Sequence, residues 1–252
     1  MLTLDYQEVE VKTLPLRIDG RIWDEPRETT IEPGYQKFAE GSALITVGST
    51  KVLCAASVEE QVPPFLRGQG RGWVTAEYNM LPRSTNTRIS RDRGSGSGRS
   101  QEIQRLIGRS LRSIIDMDIL GERTINIDCD VIQADGGTRT AAITGSYVAL
   151  YQAMQSLIDE GLLCTSPLNV PVAAISVGLI GGDLLLDLCY EEDSKAQVDF
   201  NVVSTENGEL VELQGATEAE PFPRHRVTEV LSLAARGMEY LFDRQRAAIL
   251  HV

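Results

Sequence analysis

The stretch Asp128-Cys129-Asp130-Val131-Ile132-Gln133-Ala134-Asp135-Gly136-Gly137-Thr138-Arg139-Thr140 decides the reading of this chain. It continues a strand that starts at Thr124 and breaks at two glycines. It restarts as Ala141-Ala142-Ile143-Thr144-Gly145-Ser146-Tyr147-Val148-Ala149-Leu150, which reads as a helix. A strand, a Gly-Gly turn, and Thr and Arg at a helix N-terminus suit an oxyanion. Glycine lets backbone approach a ligand closely, and the first-turn N–H groups of a helix are unpaired and carry partial positive charge. Arg139 adds a planar fork that matches phosphate. The same residues also read as an ordinary strand–turn–helix junction capped by Thr138.

Outward from that stretch, the 252 residues are enough for one large domain or two small ones, and 42% hydrophobic with 24% charged residues is an ordinary globular composition. No apolar run approaches the ~20 residues of a membrane span. Met1–Tyr6 lacks a signal-peptide pattern, so the expected location is cytoplasmic, with no membrane partner. Cys54, Cys129 and Cys189 sit in apolar strand-like runs and Cys164 stands apart, without a CxxC pair; all four read as core or strand residues rather than ligands. Two histidines, His225 and His251, argue against a His-based triad or zinc site.

The net charge of −12 hides an asymmetry. Between Arg67 and Arg112 there are ten arginines, no lysine, and only Glu77, Asp92 and Glu102 as acids. An all-arginine zone on an acidic body reads as a localised anion-binding face. Its core is the loop from Leu81 to Arg99, with Arg83, Arg88, Arg91, Arg93 and Arg99 around Gly94-Ser95-Gly96-Ser97-Gly98. A flexible linker is the plain reading; five arginines favour RNA or another polyanion.

Periodicity supplies the rest. Residues 1–16 read as an extension in which Val9, Val11 and Leu14 can add an edge strand. Arg17-Ile18-Asp19-Gly20-Arg21 reads as a solvated turn. Gly41–Val47 and Lys51–Val58 form a hairpin, and Trp73–Tyr78 a strand. From Ser100, a plausible N-cap, Ile103, Leu106, Ile107, Leu111, Ile114 and Ile115 fall at helical spacing. Val172–Ile180 with Leu184–Leu188, and Val198–Ser204 with Glu209–Gln214 across an Asn-Gly turn, are further hairpins. A last helix runs from about Val227 to Leu250. Each half thus runs hairpin, strand, long helix, which suggests an internal duplication.

Tyr190-Glu191-Glu192-Asp193 and Asp199-Phe200-Asn201 put acids at the end of a core strand, with Asp193 and Asp199 able to face one cleft. Two carboxylates beside a basic site suit phosphoryl chemistry, one as proton donor or both holding Mg²⁺. A solvated acidic loop is the alternative.

Taken together, Arg17–Arg21, Gly72–Tyr78, Glu102–Arg109, Asp128–Thr140, Glu192–Ser194 and Asp199–Asn201 resemble the ribonuclease PH family of phosphorolytic 3′-exoribonucleases, and more distantly polynucleotide phosphorylase and exosome ring subunits. The resemblance implies an α+β fold of the ribosomal protein S5 domain 2 kind, two related β–α halves with sheets packed on helices. It covers a single domain over 17–252, with 1–16 as an added extension. It implies a phosphate site of Arg99, Gly137, Thr138 and Arg139, with inorganic phosphate as co-substrate. Asp193 and Asp199 match the family's catalytic carboxylates, with Mg²⁺ as the metal they can share. Arg83, Arg88 and Arg91 correspond to its tRNA-contacting region. The implied activity is phosphate-dependent trimming of the 3′ end of precursor tRNA, releasing nucleoside diphosphates, by a hexameric homo-oligomer built as a trimer of dimers. The Gly/Ser tip at 94–98 departs from relatives that often carry lysines there. A non-catalytic RNA-binding ring subunit is the rival reading; retention of Arg99, Arg139, Asp193 and Asp199 together speaks against it.

Overall fold

A computed structural model describes residues 17–90, 98–217 and 220–250. The edge strand expected within 1–16 lies outside these residues. In chain order the elements are β1 (Thr29–Pro33), β2 (Gly41–Val47), β3 (Thr50–Glu59), β4 (Trp73–Met80), α1 (Gly98–Arg112), α2 (Met117–Leu120), β5 (Thr124–Gln133), α3 (Thr138–Asp159), β6 (Val172–Ile180), β7 (Asp183–Leu186), α4 (Tyr190–Asp193), β8 (Val198–Thr205), β9 (Leu210–Thr217) and α5 (Arg226–Ile249). The expected hairpins are all present as antiparallel pairs. Four short elements escaped the sequence reading: β1, α2, α4 and a single 3-10 turn at Pro64–Leu66.

Two sheets result. One has the order β1-β2-β3-β5-β4 and the other β7-β6-β8-β9. β4 and β5 run parallel, which demands a crossover, and α1 with α2 provides it. The amphipathic spacing of α1 buries Ile103, Leu106, Ile107 and Leu111 against the first sheet's core, each contributing ~1.5–3 kcal/mol. Its start at Gly98 corrects one expectation: Ser100 lies inside the first turn rather than at the N-cap, and Arg99 belongs to the helix instead of preceding it.

α3 is apolar almost all round because it lies against β2 and β3 of one sheet and β6 of the other. Its Thr144 hydroxyl accepts the Ala174 N–H of β6 at 3.1 Å. Gln245 of α5 donates to the carbonyls of Thr144 and Val172, both at 2.9 Å. α5 covers the second core, with Val230, Leu233, Ala234, Met238, Leu241 and Phe242 against Ile175, Val177 and Phe200. The fold is α+β, with sheets packed on helices. The halves rhyme only in part: each ends in a long helix over its sheet, but among the described residues the second has no counterpart of the parallel β4.

Cys54 and Cys129 face each other across β3 and β5 as buried core residues, as their apolar setting implied. Cys189 is buried just before α4, and Cys164 is exposed; all four are free thiols.

Candidate active site

β5 delivers the chain to a tight reversal in which Gly136 and Gly137 both take left-handed φ values of 75° and 63°. Only glycine adopts these without strain. A Cβ at Gly136 would also lie 2.5 Å from the Leu188 carbonyl oxygen, so this turn packs directly on the backbone leading into α4. Gly137 is the N-cap of α3, which therefore starts at Thr138, three residues earlier than its apolar pattern suggests. The first intrahelical bond is Ala141 N–H to the Gly137 carbonyl at 3.0 Å. The amides of Thr138, Arg139 and Thr140 thus lack intrahelical acceptors, and the dipole end faces the turn.

Thr138 is buried, and its hydroxyl accepts the Tyr78 O–H at 2.8 Å. Arg139 lies 3.2 Å from Gln214 Oε1 and 3.5 Å from Glu102 Oε1. Arg99, exposed in the first turn of α1, lines the same cleft.

The opposite wall comes from the second half of the chain. The run Tyr190–Asp193 is a short helix, α4, rather than the end of a core strand, and it carries Asp193. Asp199 opens β8. Both carboxylates line a cleft of ≈ 800 Å³ together with Arg99, Gly137, Thr138 and Arg139. Burial pushes the Asp193 carboxyl above the usual carboxylate range, against the pull of Arg99, Arg139 and Arg27. Burial, and then the charge of Asp193, does the same for Asp199. Asn201 donates to Asp199 Oδ2 at 3.1 Å, while buried Oδ1 has no partner among the described residues.

No cluster of three or more His, Cys, Asp or Glu able to hold a metal occurs among the described residues. Two carboxylates with one unused buried oxygen, beside an anion-binding wall, still fit a hard cation such as Mg²⁺. That ion is commonly held by one or two carboxylates plus substrate phosphates rather than by an all-protein cage. The arrangement can therefore fix an anion on one side and supply a proton or metal-binding oxygens on the other.

The basic zone is divided between structure and surface. Arg83 lines the cleft, Arg88 is exposed outside its lining, and Arg91 lies outside the described residues. Arg112 stacks over Trp73 at 4.5 Å and donates to the Val74 carbonyl, and Arg109 forms a two-pronged pair with Glu212. Arg105 stays exposed.

One group of residues was misjudged from the sequence. Arg17 and Arg21, expected in a solvated turn, are buried. Arg17 pairs with Glu192 through Nε at 2.7 Å and Nη2 at 2.5 Å. Arg27 pairs with Asp187, and both are buried beneath the Gly136–Gly137 turn. The overlooked signal was an acid, Asp187, inside the apolar run Leu184–Leu188: a buried carboxylate needs cations.

Comparison with known proteins agrees with this architecture. The model of the 3′ exoribonuclease family, domain 1, matches residues 25–155, and that of domain 2 matches residues 171–237. The chain is similar to ribonuclease PH of Moorella thermoacetica, with 58% identity over 93% of this chain and 94% of that one. It is similar to ribonuclease PH of Dehalococcoides mccartyi, with 56% identity over 91% and 96%. In structure it is similar to rice (Oryza sativa) Rrp46, at a TM-score of 0.76 and 18% identity over 92% of this chain and 100% of that one. A chain of the Archaeoglobus fulgidus exosome with RNA bound to the active site gives 0.75 and 21% over 90% and 92%. These last two likenesses speak for the fold, and the first two, with both family models, fix the lineage: the chain belongs to the ribonuclease PH family of phosphorolytic 3′ exoribonucleases.

Proposed function

We propose that this enzyme trims the 3′ end of precursor tRNA in the cytoplasm, using inorganic phosphate held by Arg99, Gly137, Thr138 and Arg139. The observation that carries the reading is the convergence of these four residues with Asp193 and Asp199 in one cleft, though they come from both halves of the chain.

Phosphorolysis brings an anionic nucleophile against an anionic phosphodiester, so charge repulsion is its main obstacle. Arg99 and Arg139 offset that charge, and the amides at the start of α3 fix the phosphate for in-line attack. Thr138 orients one phosphate oxygen. Asp193, whose carboxyl burial keeps protonated to higher pH than an exposed one, donates a proton to the departing 3′-oxygen of the shortened RNA. Asp199 supports it. With Asp193 ionised instead, the two carboxylates would hold Mg²⁺, which when bound would neutralise charge on phosphoryl oxygens. The products are a nucleoside diphosphate and an RNA one residue shorter.

Arg83, on the rim of the cleft, contacts the RNA backbone together with Arg88 and Arg91. Contacts of that kind to phosphates make binding salt-dependent. Six chains assemble as a ring, a trimer of dimers; a likeness to chains of the multi-subunit exosome core supports this.

The test incubates the protein with precursor tRNA carrying extra 3′ residues, or with an unstructured RNA of equal length, with and without phosphate. Nucleoside diphosphate is expected only with phosphate, and faster from the precursor. Nucleoside monophosphate formed without phosphate would overturn the mechanism, and equal rates on both RNAs would overturn the substrate. Sedimentation of the same preparation is expected to give the mass of six chains.

A further inference from the structure

We propose that Arg27 and Asp187 are a positioning pair for phosphorolysis, fixing the Gly136–Gly137 turn relative to the helix that carries Asp193. The inference rests on the assignment of phosphate to the wall from Gly137 to Arg139.

Arg27 comes from the segment before β1 and Asp187 from the end of β7, so the pair joins the two halves of the chain. The contact uses both ends of both groups. Arg27 Nε lies 3.0 Å from Asp187 Oδ2 and Nη2 lies 2.7 Å from Oδ1, while the Arg27 backbone N–H reaches Oδ2 at 2.8 Å. The third nitrogen is turned the other way: Nη1 donates to the Asp135 carbonyl at 2.6 Å and lies 3.5 Å from that of Gly136. One guanidinium therefore grips a carboxylate in one half and the phosphate turn in the other. A planar fork can do this; an ammonium cannot.

Asp187 is held in place for the role. It is the one non-glycine residue with positive φ among the described residues, at 53°, and the cost of that backbone is met by a dense set of donors. Its carbonyl accepts from Arg17 Nη2 and Arg21 Nη1, both at 3.0 Å. Arg17 also grips Glu192, whose carboxylate accepts the Cys189 N–H at the start of α4. Glu192 is the immediate neighbour of Asp193. A continuous chain of buried, charge-assisted bonds thus runs from the amide wall to the carboxylate wall. On the far side, the Tyr190 N–H reaches Asp135 Oδ1 at 3.2 Å, so turn and helix are tied from two directions. Arg27 and Asp187, like Arg17, Arg21 and Glu192, lie behind the lining of the cleft rather than in it. Their effect is on the separation of the walls, and errors of about 1 Å there can cost ~100-fold in rate.

The experiment compares steady-state constants of the full-length enzyme for phosphate and for RNA. Arg27→Lys keeps the buried charge beside Asp187 but cannot span carboxylate and carbonyl together. Its KM for phosphate is expected to rise about tenfold or more with the KM for RNA unchanged. Asp187→Asn is expected to show the same split more weakly. Equal changes in both constants, or a lowered melting temperature with neither constant altered, overturn the proposal. Arg139→Ala is measured alongside. If it trims RNA at the wild-type rate, the phosphate assignment itself fails; if its trimming is lost while Arg27→Lys and Asp187→Asn stay at wild type, only the positioning role fails. Should both variants of the pair fail to fold, phosphate is titrated into wild-type protein and the Arg27 Nε–H resonance is followed. A shift that tracks phosphate saturation supports the pair, and a static resonance overturns it.

Discussion

The Tyr78 hydroxyl donates to Thr138 Oγ1 at 2.8 Å, from inside the first core. Burial pushes the Tyr78 phenol above its ordinary value, despite the pull of Thr138, Arg99 and Arg139, so it remains a donor throughout the working pH range. A phenol that keeps its proton can donate, which is the sense of the bond. Thr138 accepts from Tyr78 and keeps its own proton for an acceptor in the cleft, such as a phosphate oxygen. Tyr78→Phe leaves the packing intact and frees Thr138 to point its proton elsewhere. The expected outcome is a phosphate KM raised several-fold, matching the ~1 kcal/mol of one buried hydrogen bond, with unchanged affinity for RNA. Phosphate titration at fixed RNA checks it; an unchanged KM would mean that Thr138 does not need the orienting bond.

Arg99→Ala and Arg139→Ala are expected to abolish phosphate-dependent trimming without unfolding the protein. Arg99 is exposed, and the contacts of Arg139 to Glu102 and Gln214 are peripheral. Losing such contacts costs ~0–1 kcal/mol, whereas losing a charge-assisted contact to phosphate costs far more in the transition state. Melting temperature and nucleoside diphosphate release are measured on the same preparations. Wild-type trimming in both variants would sink the phosphate site.

How legible was this in the sequence? Regular elements were read from local periodicity, and the strand–Gly-Gly–helix stretch announced its own geometry because glycine pairs and helix starts are local events. Asp193 and Asp199 could be paired by spacing, but their position opposite Arg99 could not, since it depends on how the two halves meet. The buried arginines were hardest. Arg17 and Arg21 flank Gly20 in a segment with the composition of a solvated turn; Arg21 pairs locally with Asp19, but Arg17 finds its carboxylate in Glu192, and both reach the Asp187 carbonyl, some 170 residues away in sequence. The start of α3 at Thr138 was missed by three residues for a related reason. The apolar face begins at Ala141, while the polar first turn belongs to the site and carries no periodic signal.

Asp199 links the site to stability. Burial, with Asp193 second, raises its folded pKa above that of the unfolded chain, so the folded state binds this proton more tightly. The stabilising contribution is then full below the ordinary carboxylate range and is lost as pH rises through the raised value. At neutral pH the ionised carboxylate is a net cost. Asp199→Asn is expected to gain about 1 kcal/mol at neutral pH, roughly 2–4 °C in Tm for a chain of this size, and to lose turnover. The gain should disappear in acid. Thermal melts of both proteins across pH decide it: an Asn variant less stable than wild type at neutral pH contradicts the linkage.

Replacing Asp193 separates chemistry from binding. Asn is nearly isosteric, and no hydrogen bond of structural weight is removed at the end of α4, where the buried Arg17–Glu192 pair anchors the helix. Asp193→Asn should therefore fold, bind RNA and bind phosphate with little change, while kcat falls by ~10²–10⁴, the range of a lost general acid. The pH dependence gives a second reading. A proton donated by Asp193 is available below its raised pKa and is lost above it, so wild-type kcat should decline as pH rises through that value. The residual rate of the Asn variant should lack that limb. Loss of RNA binding together with turnover would instead assign Asp193 to holding the cleft in shape.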